Sequence, residues 1–206
     1  MGEGALFSEG GLLSLGGRYL LGIGAADGYV RDASESDAAV CAAIYGPCVR
    51  DTAISFETEP PTPAEMARRI AVAVATHAWL VMEDPVMEEL GAGTVIGYAY
   101  GGPVKPRAAY RWSCEVSDYL DVVRRGRGGG RALYEALLAR PAVRGCRTVI
   151  ARMTLPNEAS VGLHRAMGFE PVGTYRRIGW KHGAWHDVAW VQKTIGAGDD
   201  PPAELH

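Results

Sequence analysis

The chain has 206 residues, of which 48% are hydrophobic, with a formal net charge of −3 and a sequence pI of about 6.0. This length and composition suit one domain with a substantial core, and the acidic balance argues against bulk attraction to nucleic acid. The sequence contains no run of about 18 uncharged apolar residues, so it offers no membrane-spanning helix.

Hydrophobic periodicity and capping signals predict alternating strands and helices from residue 29 onward. Residues 1–27 are glycine-rich and are predicted to be a flexible extension, residues 28–195 a single domain, and residues 196–206 a disordered tail. The predicted strands cover residues 29–31, 78–82, 94–101, 111–122, 148–154, 169–177 and 185–192, and the predicted helices cover 38–49, 63–76, 128–140 and 157–167. This order predicts an α+β fold, an α/β sandwich with a mixed sheet.

Several residues locate the ends of these helices. Thr62, followed by Pro63 and Glu65, has the sequence of an N-cap with proline at the first helical position. Pro141 is expected to end the helix that begins at residue 128. Gly168 is expected to follow the last helix in the C′ position.

The four cysteines, Cys41, Cys48, Cys114 and Cys146, form no C-x-x-C pair and no zinc spacing. They are predicted to be buried thiols in a reducing compartment, which favours a cytoplasmic location. Cys41 and Cys48 are seven residues apart on a predicted helix, so they share one face. We expect no metal site.

The most informative stretch is the arginine- and glycine-rich run at residues 124–131, between an apolar segment and an amphipathic one. This order predicts a strand, a tight turn and a helix whose free N–H groups and dipole attract an anion. The dinucleotide fingerprint fails because Arg131 fills its last glycine position, and a P-loop fails because Gly130 precedes Arg131 and Ala132. The run therefore predicts a pyrophosphate site. An RGG-type RNA-binding tract is the alternative, although such tracts are usually repeated and disordered.

The spacing Arg125-x-x-Gly128-x-Gly130 resembles the pyrophosphate turn of the GNAT superfamily of acetyl-CoA-dependent N-acetyltransferases. Five further stretches, at residues 52–60, 98–103, 105–110, 155–160 and 181–188, resemble one branch of it, the phosphinothricin N-acetyltransferases with their methionine sulfone- and methionine sulfoximine-acetylating relatives. The resemblance covers residues 28–193. It implies a GNAT fold, with a mixed, mostly antiparallel central sheet flanked by helices.

The same resemblance implies a function. The enzyme would move an acetyl group from acetyl-CoA directly to the α-amine of a small amino acid analogue, would confer herbicide resistance and would form a homodimer. It implies that Glu115 on the central strand is the general base and that His164 lies near the CoA sulfur. The alternatives are a strand glutamate that faces solvent or pairs with an arginine, and a surface histidine.

Further contacts are expected from motif and chemistry together. The expected acetyl-CoA contacts are Tyr119, Leu120, Arg125, Gly126, Arg127, Gly128, Gly129, Gly130, Arg131, Asn157 and Ser160. Asn157 and His164 are seven residues apart and share a helix face. The expected substrate contacts are Phe56, Lys105, Arg107, Tyr110 and Ser113, since a phosphinate or sulfone beside a carboxylate needs cationic and hydroxyl donors.

Two departures from the branch pattern leave alternatives open. Asp118 precedes Tyr119 where the branch usually has an apolar residue, and it could face solvent, pair with a base or point toward CoA and weaken its binding. Val122-Val123 replaces a polar or proline-containing turn. Other amine substrates (a polyamine, an aminoglycoside or a protein N-terminus) or a non-catalytic CoA-binding module are the alternative functions. Lys105 and Arg107 argue against polycations.

Two histidines near the end of the domain have the i,i+4 spacing that a zinc site on a helix would use. Gly183 lies between His182 and His186 and breaks the helix that such a site needs. We therefore expect both histidines to shape a loop near the substrate mouth.

Overall fold

A computed structural model describes residues 12–15, 18–21, 28–84, 94–143 and 145–196 of the chain. The strands are β1 (Leu12–Leu15), β2 (Arg18–Leu21), β3 (Tyr29–Asp32), β4 (Ala78–Asp84), β5 (Thr94–Pro103), β6 (Ser113–Leu120), β7 (Thr148–Leu155), β8 (Glu170–Lys181) and β9 (Ala184–Thr194). The α-helices are α1 (Ala38–Arg50), α2 (Pro63–Thr76), α3 (Gly129–Val143) and α4 (Glu158–Ala166), and 3-10 turns cover Glu35–Asp37, Ala108–Tyr110 and Val122–Arg124.

These strands form one mixed sheet in the order β1-β2-β3-β4-β5-β6-β7-β9-β8. Neighbouring strands of this part of the chain are antiparallel except β6 and β7, which are parallel. The parallel pairing is short, from Ser113 opposite Thr148 to Glu115 opposite Ile150. Beyond it the two strands separate, and the gap between them is the cleft described below. The predicted α+β fold with a mixed, mostly antiparallel sheet is confirmed.

The sheet buries a separate core on each face, because successive strand residues point to opposite sides. On β6, Cys114 and Val116 pack toward α3, in a core with Leu133 and Leu137. On the opposite face, α1 and α2 cover a core that includes Trp79 and Tyr98, with Tyr119 packed against it. The alternation of β6 therefore sends neighbouring side chains to different layers.

The predicted helix ends are largely confirmed. The Thr62 hydroxyl accepts a hydrogen bond from the Glu65 amide at 3.2 Å, and Pro63 is the first helical residue. Gly168 follows α4 with a φ of +78°. The end predicted at Pro141 is wrong, since α3 continues to Val143. A proline in the last turn removes only one backbone hydrogen bond.

Other boundaries also differ from the sequence prediction. Inside residues 1–27, predicted as a flexible extension, β1 and β2 form a hairpin that pairs with β3. Tyrosine favours strands, and the hairpin gives β3 a partner on its open edge. The rest of residues 1–27, and residues 197–206 of the predicted tail, lie outside the described residues. The central strand is shorter than the predicted 111–122, because 3-10 turns flank it.

Candidate acetyl-transfer site

A cleft of about 350 Å³ lies where β6 and β7 separate. Its walls come from four parts of the fold: the second half of β6, the middle of β7, the turn leading into α3, and α4. Cys48 from α1 and Ile54 from the segment after it also line the cleft. One short break in a strand pairing thus brings together residues from across the chain.

The glycine-rich turn between β6 and α3 has a backbone conformation that favours glycine at two positions. Gly126 and Gly128 have φ values of +78° and +87°, which side chains rarely adopt. Both line the cleft, as does Gly130 in the first turn of α3, where N–H groups have no intrahelical partner. A Cβ on Gly129 would instead meet Leu120 at 3.2 Å, so this glycine faces the core.

The arginines of this run have different positions. Arg125 and Arg131 line the cleft. Arg131 also pairs with Glu135 on the exposed side of α3, at 2.8 Å. Arg124 binds Asp84 at 2.5 Å, and Arg127 is exposed and does not line the cleft. Of the predicted phosphate ligands, the structure brings Arg125 and Arg131 to the cleft, and it does not bring Arg127.

Helix α4 presents its N-terminal turn and His164 to the cleft. The Asn157 side chain caps the helix by accepting from the Ser160 amide at 3.1 Å, and both residues line the cleft. His164 is only 4% exposed, so it is not a surface histidine. Its Nδ1 lies 2.8 Å from the Ser160 carbonyl, and its Nε2 lies 3.0 Å from the Tyr134 hydroxyl. Burial lowers the pKa of this histidine.

Glu115 lies just outside the cleft wall and is bound to an arginine that forms part of it. The Arg152 guanidinium, on β7, donates to the Glu115 carboxylate across the two strands. Arg152 lines the cleft and lies 5.5 Å from the centre of the Trp190 ring. Glu115 is 17% exposed in its side chain, so solvent still reaches it. Glu115 is thus paired with an arginine, as one of the sequence alternatives expected. Its role as the general base stays a prediction.

Asp118 points into the cleft and forms part of a polar cluster. It lines the cleft together with Tyr134 and His164. Burial raises the pKa of Asp118 to about 6, while Tyr134 and the charge of Arg125 act in the opposite direction. The sequence left three orientations open for the Asp118 side chain, and in the structure it lines the cleft.

The predicted substrate residues do not line this cleft. Lys105 and Arg107 are exposed between β5 and the 3-10 turn that ends at Tyr110, which is 42% exposed. Ser113 is the first residue of β6. Phe56 is 40% exposed and packs on β8, where a Cβ at Gly179 would collide with its ring.

The β8–β9 hairpin is fixed to the segment between α1 and α2 by Lys181. Its buried ammonium donates to the carbonyls of Val49 and Ser55, both at 2.6 Å, and of Glu57 at 2.9 Å. The hairpin turn contains His182, whose Nε2 bonds the Thr52 carbonyl at 3.1 Å. His186 bonds the Lys181 carbonyl at 3.0 Å.

Sequence reasoning missed two residues of the site. Tyr134 lies among apolar residues of α3 and is 1% exposed, so its sequence context resembles that of a core residue. Arg152 is a charged residue on a strand with buried neighbours on both sides, Ala151 and Met153. That interruption of an apolar strand by a cation was the available signal.

Comparison with known proteins identifies the family. Residues 30–190 match the acetyltransferase (GNAT) domain family. The phosphinothricin N-acetyltransferase of Streptomyces viridochromogenes is 37% identical over 164 residues, which are 80% of this chain and 86% of that protein. The L-methionine sulfoximine/L-methionine sulfone acetyltransferase of Pseudomonas paraeruginosa is 34% identical over 170 residues, 81% of this chain and 94% of that protein.

A solved structure agrees. The crystal structure of a GNAT superfamily phosphinothricin acetyltransferase from Sinorhizobium meliloti, in complex with AcCoA, superposes with a TM-score of 0.79 at 37% identity, covering 85% of this chain and 92% of that one. The chain therefore belongs to the GNAT acetyltransferase family. It is an acetyl-CoA-dependent N-acetyltransferase, and the predicted resemblance is confirmed.

The described residues contain neither a metal-binding cluster nor a membrane-spanning helix. Among the described residues, no group of three or more His, Cys, Asp or Glu side chains is arranged to hold a metal ion. No helix in that same part of the chain is long and apolar enough to cross a membrane.

Proposed function

We propose that this enzyme acetylates the α-amine of a small anionic amino acid analogue of the phosphinothricin, methionine sulfoximine or methionine sulfone type. The supporting observation is the cleft between β6 and β7. It is bordered by the glycine-rich turn, which offers donors for phosphates, and by Arg152, which holds the Glu115 carboxylate. Relatives that share a third or more of the sequence over most of the chain bear substrate names of this class.

The CoA moiety fits the cleft by complementary hydrogen bonding. Its pyrophosphate would accept from the amides at Gly126, Gly128 and Gly130 and from the two lining arginines. The second half of β6, with Tyr119 and Leu120, lacks a strand partner on its β7 side. Its free backbone groups can pair with the amides of the pantetheine arm, as an added strand would. Asn157 and Ser160 line the opposite wall.

The chemistry needs a base for the substrate ammonium and a route without a covalent acyl-enzyme. Glu115 would accept the ammonium proton, and the free amine would then attack the thioester carbonyl. Cys48 is the cysteine that lines the cleft. Burial raises the pKa of its thiol, and a neutral thiol is a poor nucleophile. This favours direct transfer.

Selectivity for anionic substrates would come from exposed donors. Lys105, Arg107 and Tyr110 are exposed, so their donor groups are accessible to a ligand. Phe56 and Ser113 would contact the rest of the substrate. These cations repel polyamines and aminoglycosides, which are the main competing substrate class.

Thiol release from acetyl-CoA tests the proposal. Phosphinothricin, methionine sulfoximine and methionine sulfone would be compared with spermidine and kanamycin at equal concentration. We expect kcat/KM to be at least about 100-fold higher for the anionic analogues, a difference of about 2.7 kcal/mol in transition-state stabilisation. A preference for the cationic amines would contradict the substrate class. CoA binding without turnover of any amine would favour a non-catalytic module.

We also propose that the enzyme is a cytoplasmic homodimer that confers resistance to phosphinothricin. The hairpin strands β8 and β9 expose large apolar side chains, 50–60% accessible, at Val172, Tyr175, Ile178, Trp180 and Trp185. A surface of this kind is typical of a protein interface, and a second copy would cover it.

Light scattering should give twice the chain mass of 22.0 kDa for the wild type, and the mass of a single chain for Ile178→Asp. A wild-type monomer at all concentrations would contradict this.

Resistance and location need a cellular test. Expression in a phosphinothricin-sensitive bacterium should allow growth on the herbicide, and cell fractionation should recover the enzyme with the cytoplasmic proteins. Growth equal to that of the empty-vector strain would contradict the resistance proposal.

A further inference from the structure

Arg152 lines the cleft but lies outside the glycine-rich turn. Among the described residues three arginines line the cleft, and two of them, Arg125 and Arg131, belong to the turn at 124–131. Arg152 comes from the middle of β7, and its side chain is 56% exposed. The proposed phosphate contacts therefore leave this accessible cation without an assigned ligand.

Arg152 and Glu115 project from the same face of the sheet. Ala151 of β7 lies in the core with α3, and so does Cys114 of β6. Because successive strand residues point to opposite sides, Arg152 and Glu115 face away from α3. Glu115 is opposite Ile150 at the last paired position, and Arg152 lies two residues further along β7. The two charged groups therefore meet where the strands separate and the cleft begins.

The guanidinium of Arg152 has hydrogen-bond donors that the protein does not use. Its Nε donates to the Glu115 carboxylate, and its central carbon lies 5.5 Å from the centre of the Trp190 ring. In the described part of the chain no other group accepts from it, so Nη1 and Nη2 are open to a ligand. A guanidinium can hold a carboxylate through two parallel hydrogen bonds. A carboxylate is therefore the ligand that these donors suit best.

The adjacent carboxylate and guanidinium match the two charges of a free amino acid. The α-ammonium and the α-carboxylate are attached to one carbon, so they can contact neighbouring groups of opposite sign. The α-ammonium would pair with Glu115 and the α-carboxylate with Arg152, and both enzyme charges would keep a partner. An amine without a carboxylate offers Arg152 no replacement for Glu115, and it must compete with the arginine for that residue.

We propose that Arg152 binds the α-carboxylate of the acceptor and thereby restricts this enzyme to free α-amino acids. This inference rests on the proposed function, in which Glu115 accepts the proton of the α-ammonium. Lys105 and Arg107 then serve the anionic side chain of the acceptor. Carboxylate binding draws the guanidinium away from Glu115, so the contact that selects the acceptor also frees the proposed base. A protein N-terminus has an amide in place of this carboxylate and is excluded by the same contact.

Methionine sulfone and its α-carboxamide test the proposal, because the amide keeps the amine and the side chain but has no α-carboxylate. We expect the wild-type kcat/KM to be about 100-fold higher for the acid, and Arg152→Met to reduce this ratio to less than about fivefold. The loss of the partner of Glu115 affects both substrates and cancels in the ratio. Arg152→Lys keeps the charge but not the planar fork, and it should give an intermediate ratio. An unchanged ratio in Arg152→Met, or a wild-type ratio close to one, overturns the proposal.

Arg68→Met is the matched control. Arg68 is also an exposed arginine paired with a glutamate, Glu65, but it lies on α2. This variant should keep the wild-type ratio of acid to amide. The KM for acetyl-CoA should stay within about threefold in Arg152→Met. A larger rise in that KM with an unchanged ratio would make Arg152 a CoA ligand and would overturn the proposal.

A binding measurement separates this proposal from the proposed function. Calorimetric titration of methionine sulfone into the enzyme saturated with CoA requires no acetyl transfer. We expect the Kd to rise about tenfold or more in Arg152→Met and to be unchanged in Arg68→Met. Equal affinity of wild type and Arg152→Met, or no binding to the wild type, overturns the proposal even if the enzyme acetylates amino acids. Binding that depends on Arg152, without turnover of any amine, would count against the proposed function instead.

Discussion

The Arg152 guanidinium and the Glu115 carboxylate are joined by a hydrogen-bonded ion pair across β6 and β7. Glu115 is at the last register position of the β6–β7 pairing, opposite Ile150, and Arg152 lies two residues further along β7. In the proposed function, this carboxylate accepts the proton of the substrate ammonium. Because Arg152 is 56% exposed in its side chain, an approaching ammonium can displace it from Glu115.

Replacing the proposed base should therefore affect turnover rather than cofactor binding. Glu115→Gln should lower kcat by about 10²- to 10⁴-fold, the usual contribution of a positioned base. The KM for acetyl-CoA should change little, because Glu115 does not line the cleft. Steady-state kinetics with Glu35→Gln, an exposed glutamate, as control checks this. Unchanged kcat would remove Glu115 from the base role.

The turn proposed to bind the pyrophosphate should tolerate no side chain at Gly128. Its φ of +87° makes alanine strained there, by about 1 kcal/mol or more. We expect Gly128→Ala to weaken CoA binding about tenfold by calorimetry, because the turn shifts away from the phosphates. Gly162→Ala is the matched control, since a Cβ there meets nothing within 4 Å. It should leave CoA affinity unchanged and stabilise α4 by up to about 1 kcal/mol. Equal affinity in both variants would argue against the turn as the phosphate site.

Lys181 should be one of the most sensitive residues for stability. Lys181→Met removes a buried ammonium and leaves three carbonyls, of Val49, Ser55 and Glu57, without their donor. We expect a loss of about 3 kcal/mol or more in the free energy of unfolding. Denaturant titration would measure it, with Lys105→Met at an exposed position as control. A loss similar to that of the control would show that water replaces the ammonium at no cost.

Asp118 should make the stability of the protein depend on pH. Its pKa is raised from 3.8 to about 6 in the folded state, so the protonated carboxyl is the form that folding favours. Below about pH 4, the ionisation of Asp118 should cost the wild type no free energy of unfolding relative to Asp118→Asn. As the pH rises to about 6, the wild type should lose stability relative to the variant. The full difference is at most about 3 kcal/mol, since one pKa unit is about 1.4 kcal/mol. Denaturant titrations of both proteins at pH 4.5 and pH 8 check this. A difference between the two proteins that does not change with pH would contradict it.

The anionic-substrate preference depends on Lys105 in the proposed function. Lys105→Ala should raise KM for phosphinothricin about tenfold, in line with the loss of one charge-assisted hydrogen bond. The KM for acetyl-CoA should stay within twofold, because Lys105 lies outside the cleft. Parallel kinetics with both substrates separate the two effects. If both KM values rise together, the residue affects the fold of the site and not substrate selection.

Some features of this protein could be predicted from sequence because they depend on neighbouring residues. The turn at 124–131 joins β6 to α3 over a few residues, and glycine adopts the dihedral angles at Gly126 and Gly128 most easily, so the spacing alone predicted this turn. Thr62 and Asn157 cap their helices through residues three positions away. The chain order of strands and helices followed from periodicity, and it gave the fold class. Within residues 1–27 the same approach missed β1 and β2, whose pairing depends on β3.

The tertiary structure decided which distant residues meet. Glu115 and Arg152 are 37 residues apart, and Tyr134 and His164 are 30 apart. No local pattern specifies that Asp118 faces the cleft rather than solvent, because that depends on where β6 separates from β7. Lys181 likewise reaches Val49 across 132 residues. The sequence by itself determined the family and the conformation of the glycine-rich turn, because the turn depends on short-range geometry. Packing of the sheet against α3 and α4 determined the partners of the buried charges, because a charge in the interior takes whichever polar group the fold brings within hydrogen-bond distance.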